Sequence, residues 1–146
     1  MIEIAILGYG VVGSGVAAIC RMNQSVIQNR IGRHINVKRI LDIRDFPDDP
    51  FADRMTKDAD LIFTDPAIQV VVETIGGSGI AYELTRRALQ SGKHVVTSNK
   101  ELVAAFGPEL MLLAQENNVK YLFEASVGGG IPIIRPLSKC LAANVV

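Results

Sequence analysis

Tryptophan is missing altogether, and aromatic residues make up only 5% of the chain. With 49% of the residues hydrophobic, the core must therefore be aliphatic. Only two cysteines occur, Cys20 and Cys140, far apart and both in helix-like stretches. Neither has a Cys or His at metal-ligand spacing, which points away from a disulfide or zinc site and toward buried thiols in a reducing cytoplasm. Net charge is also lacking, since 15 Lys+Arg balance 15 Asp+Glu. With no basic stripe, nucleic acid is not expected as the main partner. No apolar run approaches the roughly 18–20 residues that cross a bilayer. No basic leader precedes the first strand, so neither a membrane span nor a signal peptide is expected. The chain has no Ser-His-Asp set, paired acids, internal repeat or low-complexity stretch. His34 and His94 have no plausible acid or metal partner and read as structural or solvated.

What the chain does have is a strand, a glycine turn and a helix within its first residues. Ile2–Leu7 is an apolar run of strand length. It breaks into Gly8-Tyr9-Gly10-Val11-Val12-Gly13, and helical apolar spacing follows from Val11 to Met22. In that context G-x-G-x-x-G reads as a dinucleotide fingerprint. Gly8 allows the tight turn, Gly10 lets a pyrophosphate reach the backbone, and Gly13 lets helix and strand pack closely. The N–H groups at the helix start, from Val11 onward, would hold the phosphates.

Alternation continues along the chain. After a polar stretch that can add a turn or two of helix and stops at Gly32, Ile35–Ile43 reads as the second strand. Residues 44–50 are loop, and Leu61-Ile62-Phe63 reads as a small strand. Val70–Ile75 is a strong strand closed by Gly76-Gly77. Ala81–Leu89 reads as a helix ended by Ser91-Gly92, and His94–Thr97 as a strand. Lys100–Phe106 reads as a short helix stopped by Gly107-Pro108, and Glu109–Asn117 as a separate one. Tyr121–Ala125 reads as the last strand, ended by Gly128–Gly130, and Ile131–Leu141 as a final helix. This order predicts an α/β fold of Rossmann type, one domain with a doubly wound, mainly parallel sheet and helices on both faces.

Ligands of such sheets bind beyond the carboxyl ends of the strands, and most polar candidates fall there. Asp42 and Arg44 end the second strand, where an acid meets the ribose 2′-hydroxyl of NAD and an arginine accommodates the 2′-phosphate of NADP. Strand alternation would put both on one face, so the preference stays open. Thr74-Ile75-Gly76-Gly77 is either a simple tight turn or a close approach to the nicotinamide-side ribose. Thr97-Ser98-Asn99-Lys100 brings a lysine to a strand end, where it can polarise a carbonyl or move a proton beside a hydride-transfer site. Glu124 to Ile131 combines a carboxylate with exposed carbonyls, suited to a hard cation such as Na⁺ or to chain reversal alone.

Four segments together resemble the N-terminal part of the homoserine dehydrogenases: residues 6–13, 70–77, 92–100 and 123–137. The last two are the most specific. The resemblance implies reduction of aspartate semialdehyde to homoserine with NADPH or NADH, on the route to threonine, methionine and isoleucine. It implies that Lys100, in the T-x-N-K segment, lies at the nicotinamide and the substrate, and that Thr97 and Ser98 belong to the cofactor site. It implies Na⁺ ligation by Glu124, Val127, Gly129 and Ile131, an NADP link for Arg44, and a homo-oligomeric full-length enzyme. The chain stops where the family enters its substrate and dimerisation region, which reads as a fragment of a longer enzyme. A free-standing regulatory module is one alternative. Aspartate-semialdehyde dehydrogenase is another, but it needs a cysteine at a strand end.

Overall fold

A computed structural model of the chain describes residues 1–134. Six strands form one parallel sheet: β1 (Ile2–Leu7), β2 (Ile35–Leu41), β3 (Met55–Thr56), β4 (Ile68–Glu73), β5 (His94–Thr97) and β6 (Tyr121–Leu122). Their order across the sheet is β3-β2-β1-β4-β5-β6. The helices are α1 (Val11–Met22), α2 (Gln24–Ile31), α3 (Asp60–Phe63), α4 (Gly79–Gln90), α5 (Lys100–Glu116) and α6 (Glu124–Val127). None of the helices among the described residues is long and apolar enough to cross a membrane.

The aliphatic runs make this sheet because they are buried on both faces. On β1, Ala5 and Leu7 join a core with Val71, Val95, Leu89 and Leu110. The alternate residues Ile4 and Ile6 join a second core with Ala17, Cys20, Val37 and Ile40 on the opposite face. A strand packed on both sides cannot slip by one residue without exchanging its two faces between the cores. The strand ends are thereby aligned: Leu7 pairs with Leu41 and with Glu73, and Glu73 pairs with Thr97. The residues after these four ends make one rim.

The structure corrects several boundaries. The apolar Leu61-Ile62-Phe63 is helical, as part of α3. Asp58 accepts the Asp60 N–H and Thr64 bonds back to the Asp60 carbonyl, so local caps close a turn where an extended run was expected. The small third strand lies earlier, at Met55–Thr56. The second strand ends at Leu41 rather than Ile43, and the fourth runs Ile68–Glu73 rather than Val70–Ile75. The two helices expected on either side of Gly107-Pro108 are the single helix α5. A glycine before proline lacks the Cβ that would clash with the ring. Contacts to α4 also straddle the break, because Tyr82 stacks on Phe106 at 4.3 Å and its hydroxyl donates to Glu109. The last strand is short, because Ser126 bonds back to the Phe123 carbonyl through both its N–H and its hydroxyl and starts a helical turn. Of the expected final helix, Ile131–Ile133 are irregular; most of the remainder, with Cys140, lies outside the described residues.

Candidate dinucleotide site

At the rim, β1 lies between β2 and β4, whose connections run to opposite sides, and the sheet opens there into a cleft. A cavity of about 520 Å³ fills it, lined by Gly8, Gly10, Asp42, Arg44, Thr74 and Gly76 among others. Six residues expected from the sequence to touch a dinucleotide thus meet in one cleft. Val11 and Val12 form the adjoining first turn of α1 and are exposed.

The glycines of the turn have distinct reasons. Gly8 has φ +90°, and its N–H donates to the Leu41 carbonyl at 2.8 Å. At Gly13 a Cβ would stand 2.0 Å from the Gly8 carbonyl oxygen and 2.8 Å from Thr74 Oγ1. At Gly10 a Cβ would meet nothing within 4 Å, since it would point into open space. The first helical bond of α1 runs from Ser14 N–H to the Gly10 carbonyl, and no side chain caps the helix. The N–H groups of Val11, Val12 and Gly13 therefore have no partner among the described residues, at the positive end of the helix dipole. Thr74 closes the turn from β4, with its hydroxyl 3.0 and 2.9 Å from the carbonyls of Leu7 and Gly8.

Asp42 and Arg44 are not alternating strand residues, because β2 has already ended. Asp42 instead accepts the Arg44 N–H, which turns the chain. Its carboxylate takes four bonds in all: from Tyr9 N–H at 2.7 Å, from Arg44 N–H at 2.9 Å, and from Arg44 Nε and Nη2 at 2.9 Å each. The Arg44 guanidinium foremost, with the N–H groups of Arg44 and Tyr9 and the guanidinium charge, holds the Asp42 carboxyl well below its usual range, against the opposing effect of burial. A depressed carboxylate contributes stability that is present above its ordinary value of 3.8 and is lost as pH falls below it. Melting temperatures of the wild type and of Asp42→Asn should therefore converge as pH is lowered through and below that value. A gap that stays constant would show that the carboxylate does not hold the turn.

Arg44 also lies over the Phe46 ring, 5.1 Å from its centroid, and Phe46 meets the Tyr9 ring edge-on. Tyr9 donates to Asp49 at 2.9 Å; burial first, then that bond, pushes its phenol up to about 12. Sequence reading gave no role in this cleft to Ile43, and it missed Lys57 and Ile80, among others. Ile43 and Ile80 are large apolar side chains left exposed at its lips, a signal visible only once the fold is known. Lys57 pairs with Asp45 at 2.9 Å and follows a strand that the sequence barely marks.

The Thr97–Lys100 segment leaves β5 along the same rim, beside β4. Thr97 and Asn99 are buried, Ser98 is half-buried and Lys100 is exposed at the start of α5. Asn99 caps that helix by accepting the Leu102 N–H at 3.0 Å, and its amide donates to the carbonyls of Ile75 and Gly77 at 2.8 and 2.6 Å. A lysine at a helix N-terminus sits at the wrong end of the dipole, a local cost of about 0.3–1 kcal/mol. Such broken local rules concentrate at functional positions.

Glu124 starts α6 rather than ending a strand, and its carboxylate accepts the N–H groups of Ile133 and Ile134 at 2.5 and 2.9 Å. The loop after α6 folds back tightly, so that a Cβ at Gly128 would lie 2.7 Å from the Ile131 carbonyl oxygen. Val127, Gly129 and Ile131 are exposed around it. Cys20 faces a core from α1, with its thiol pushed up by burial, which is unlike a strand-end nucleophile. His34 pairs with Gln24, and His94 accepts the Lys120 N–H.

Comparison with known proteins agrees with this geometry. Residues 8–124 match the family described as homoserine dehydrogenase, NAD binding domain. Homoserine dehydrogenases of Neisseria gonorrhoeae and Pseudomonas aeruginosa are each 42% identical to the chain over 98% of its length. The crystal structure of a homoserine dehydrogenase from Thiobacillus denitrificans superposes with a TM-score of 0.85 at 41% identity, covering 98% of this chain and 34% of that one. The chain spans about a third of the length of the curated relatives it matches, 33% in both bacteria. A parallel sheet with a glycine turn at its switch point, matched over nearly its whole length by these enzymes, places the chain in the homoserine dehydrogenase family as its NAD-binding domain.

Proposed function

We propose that the chain is the dinucleotide-binding part of a homoserine dehydrogenase, which interconverts aspartate semialdehyde and homoserine in amino-acid biosynthesis. The reading rests on one observation above others: an uncapped helix N-terminus beside a cleft that Gly10 lines. When bound, the dinucleotide supplies the hydride that passes to the aldehyde carbon. The chain's own groups do the rest. The N–H groups of Val11, Val12 and Gly13 receive the pyrophosphate. The apolar lips, Ile43 and Ile80, fit the flat adenine. Arg44 and Lys57 line the cleft as two cations, suited to a 2′-phosphate, while Asp42 is the group suited to a free 2′-hydroxyl. Thr74, Gly76, Thr97 and Ser98 border the nicotinamide end, and Lys100 orients the carbonyl or passes a proton to its oxygen. Carbonyls of Val127, Gly129 and Ile131 with Glu124 form a donor set of hard-cation type, and Na⁺ would brace this loop. Substrate and subunit contacts beyond these residues belong to the remaining length of such an enzyme, which we propose acts as a homo-oligomer in the cytoplasm.

Because the chain has no tryptophan, binding is best read by calorimetry or on the fluorescence of the reduced nicotinamide. Titration with NADH and NADPH is expected to give saturable one-to-one binding. Tighter NADPH binding marks Arg44 as the selector, and tighter NADH binding marks Asp42. Equal affinities remove both as selectors, and no binding of either overturns the proposal.

A further inference from the structure

Glu73 is the last residue of β4, with none of its surface exposed. A buried carboxylate is costly unless its oxygens are satisfied, and among the described residues Glu73 has no cation beside it. Donors surround it instead. The Thr97 hydroxyl donates to Oε2 at 2.5 Å and the Ile75 N–H to Oε1 at 2.7 Å. The Thr97 oxygen in turn accepts the Asn99 N–H at 3.0 Å. The Asn99 amide runs back to the carbonyls of Ile75 and Gly77, and the Ser98 N–H reaches the Glu73 carbonyl at 3.4 Å. The chain of bonds thus closes on itself, from the loop after β4 to the loop after β5 and back. Tyr121, buried with no hydrogen-bond partner for its hydroxyl among the described residues, is the titratable neighbour whose phenol is pushed up by burial and then by the Glu73 charge.

We propose that Glu73 is a positioning residue whose carboxylate locks the loop after β4 to the Thr97–Asn99 turn and thereby fixes where Lys100 stands relative to the dinucleotide cleft. The lock asks for acceptors at both oxygens. A glutamine there offers one acceptor and one donor; if its oxygen keeps the Ile75 N–H, its amide must donate to the second lone pair of the Thr97 oxygen, and the Thr97 hydroxyl loses the carboxylate it donated to. The isosteric amide therefore keeps the volume and breaks the lock. Asn99 carries the effect onward, because it is tied to the lock on one side and caps the helix that begins with Lys100 on the other.

The proposal rests on the reading of Lys100 given above, and the test separates the two. Kinetics are measured on the enzyme at the full length of its relatives, for the wild type, Glu73→Gln, Thr97→Val, Thr97→Ser and Lys100→Ala. Misplacement of a reacting group by about 1 Å can cost about a hundredfold. Glu73→Gln is expected to lower kcat about ten- to a hundredfold while the dinucleotide KM moves less than about threefold, since the phosphate turn lies on β1. A merely structural role would instead lower the melting temperature and raise KM together. Thr97→Ser keeps the donor and should exceed Thr97→Val in kcat by at least about fivefold. This pair probes the lock even if Glu73→Gln fails to fold. A folded Glu73→Gln with wild-type kcat, or equal kcat in the two Thr97 variants, overturns the lock. If Lys100→Ala collapses turnover in the same series, the reading of Lys100 survives that failure. If Lys100→Ala turns over normally, the reading falls and takes the lock with it.

Discussion

Gly13→Ala should abolish dinucleotide binding and destabilise the fold by about 3 kcal/mol or more, at the upper end of what overpacking costs. In an ordinary helix the same change is favourable by about 1 kcal/mol, because alanine loses less backbone freedom. Here the added methyl would sit 2.0 Å from the Gly8 carbonyl oxygen, a backbone atom, so no rotamer change can relieve it. Either α1 moves away from the sheet or the turn opens, and both disperse the N–H groups that face the cleft. Gly10→Ala separates the two effects. Its Cβ meets no protein atom within 4 Å, so stability should be unchanged within about 0.5 kcal/mol. Dinucleotide affinity should still fall at least about tenfold, because the methyl occupies the place where the pyrophosphate meets the backbone. Thermal melts and a titration on the two variants check both statements. A stable, binding-competent Gly13→Ala would show that α1 does not pack as described.

Lys100→Ala is expected to lower turnover of the full-length enzyme by about 10²–10⁴, the usual contribution of a positioned acid–base group. Stability should be equal or slightly higher, because an exposed cation is removed from the positive end of a helix. Dinucleotide affinity should change little, since Lys100 does not line the cleft that holds the phosphate turn. That combination, activity lost with binding and stability kept, distinguishes a reacting group from a solubility lysine. Unchanged turnover would remove Lys100 from the mechanism.

Most of the fold is legible in the residues because the strongest signals are local. β1, α1 and β5 follow from apolar-rich segments next to glycine or a polar turn, and their bounds agree with the structure. The misreadings share a cause. Leu61-Ile62-Phe63 looks extended until Asp58 and Thr64 are seen to cap a single turn. Gly107-Pro108 looks like a stop until α4 is seen to hold both sides, although the buried Leu102, Leu110 and Ala114 keep one helical stripe across it. Tertiary contact outweighs local propensity at both places. At the cleft, the glycine fingerprint indicates the ligand class, and the T-S-N-K and 123–137 segments indicate the family. Asp42 shows what sequence spacing misses: its partner is the backbone of Tyr9, 33 positions away. Glu73 escaped notice for a related reason. Inside a run of valines it reads as an interruption, and only the pairing of β4 with β5 shows what it bonds.

The turn at residues 8–13 has a consequence for the order in which the protein assembles. Its own residues are contiguous, but its closing bonds come from Thr74, 67 and 66 positions away from the carbonyls it holds. The strand that leads into it likewise pairs only with β2 and β4. Contacts of such separation form slowly, because the loop entropy is lost before the contact is gained. The phosphate cradle is therefore completed only once Thr74, 66 positions after Gly8, has been made.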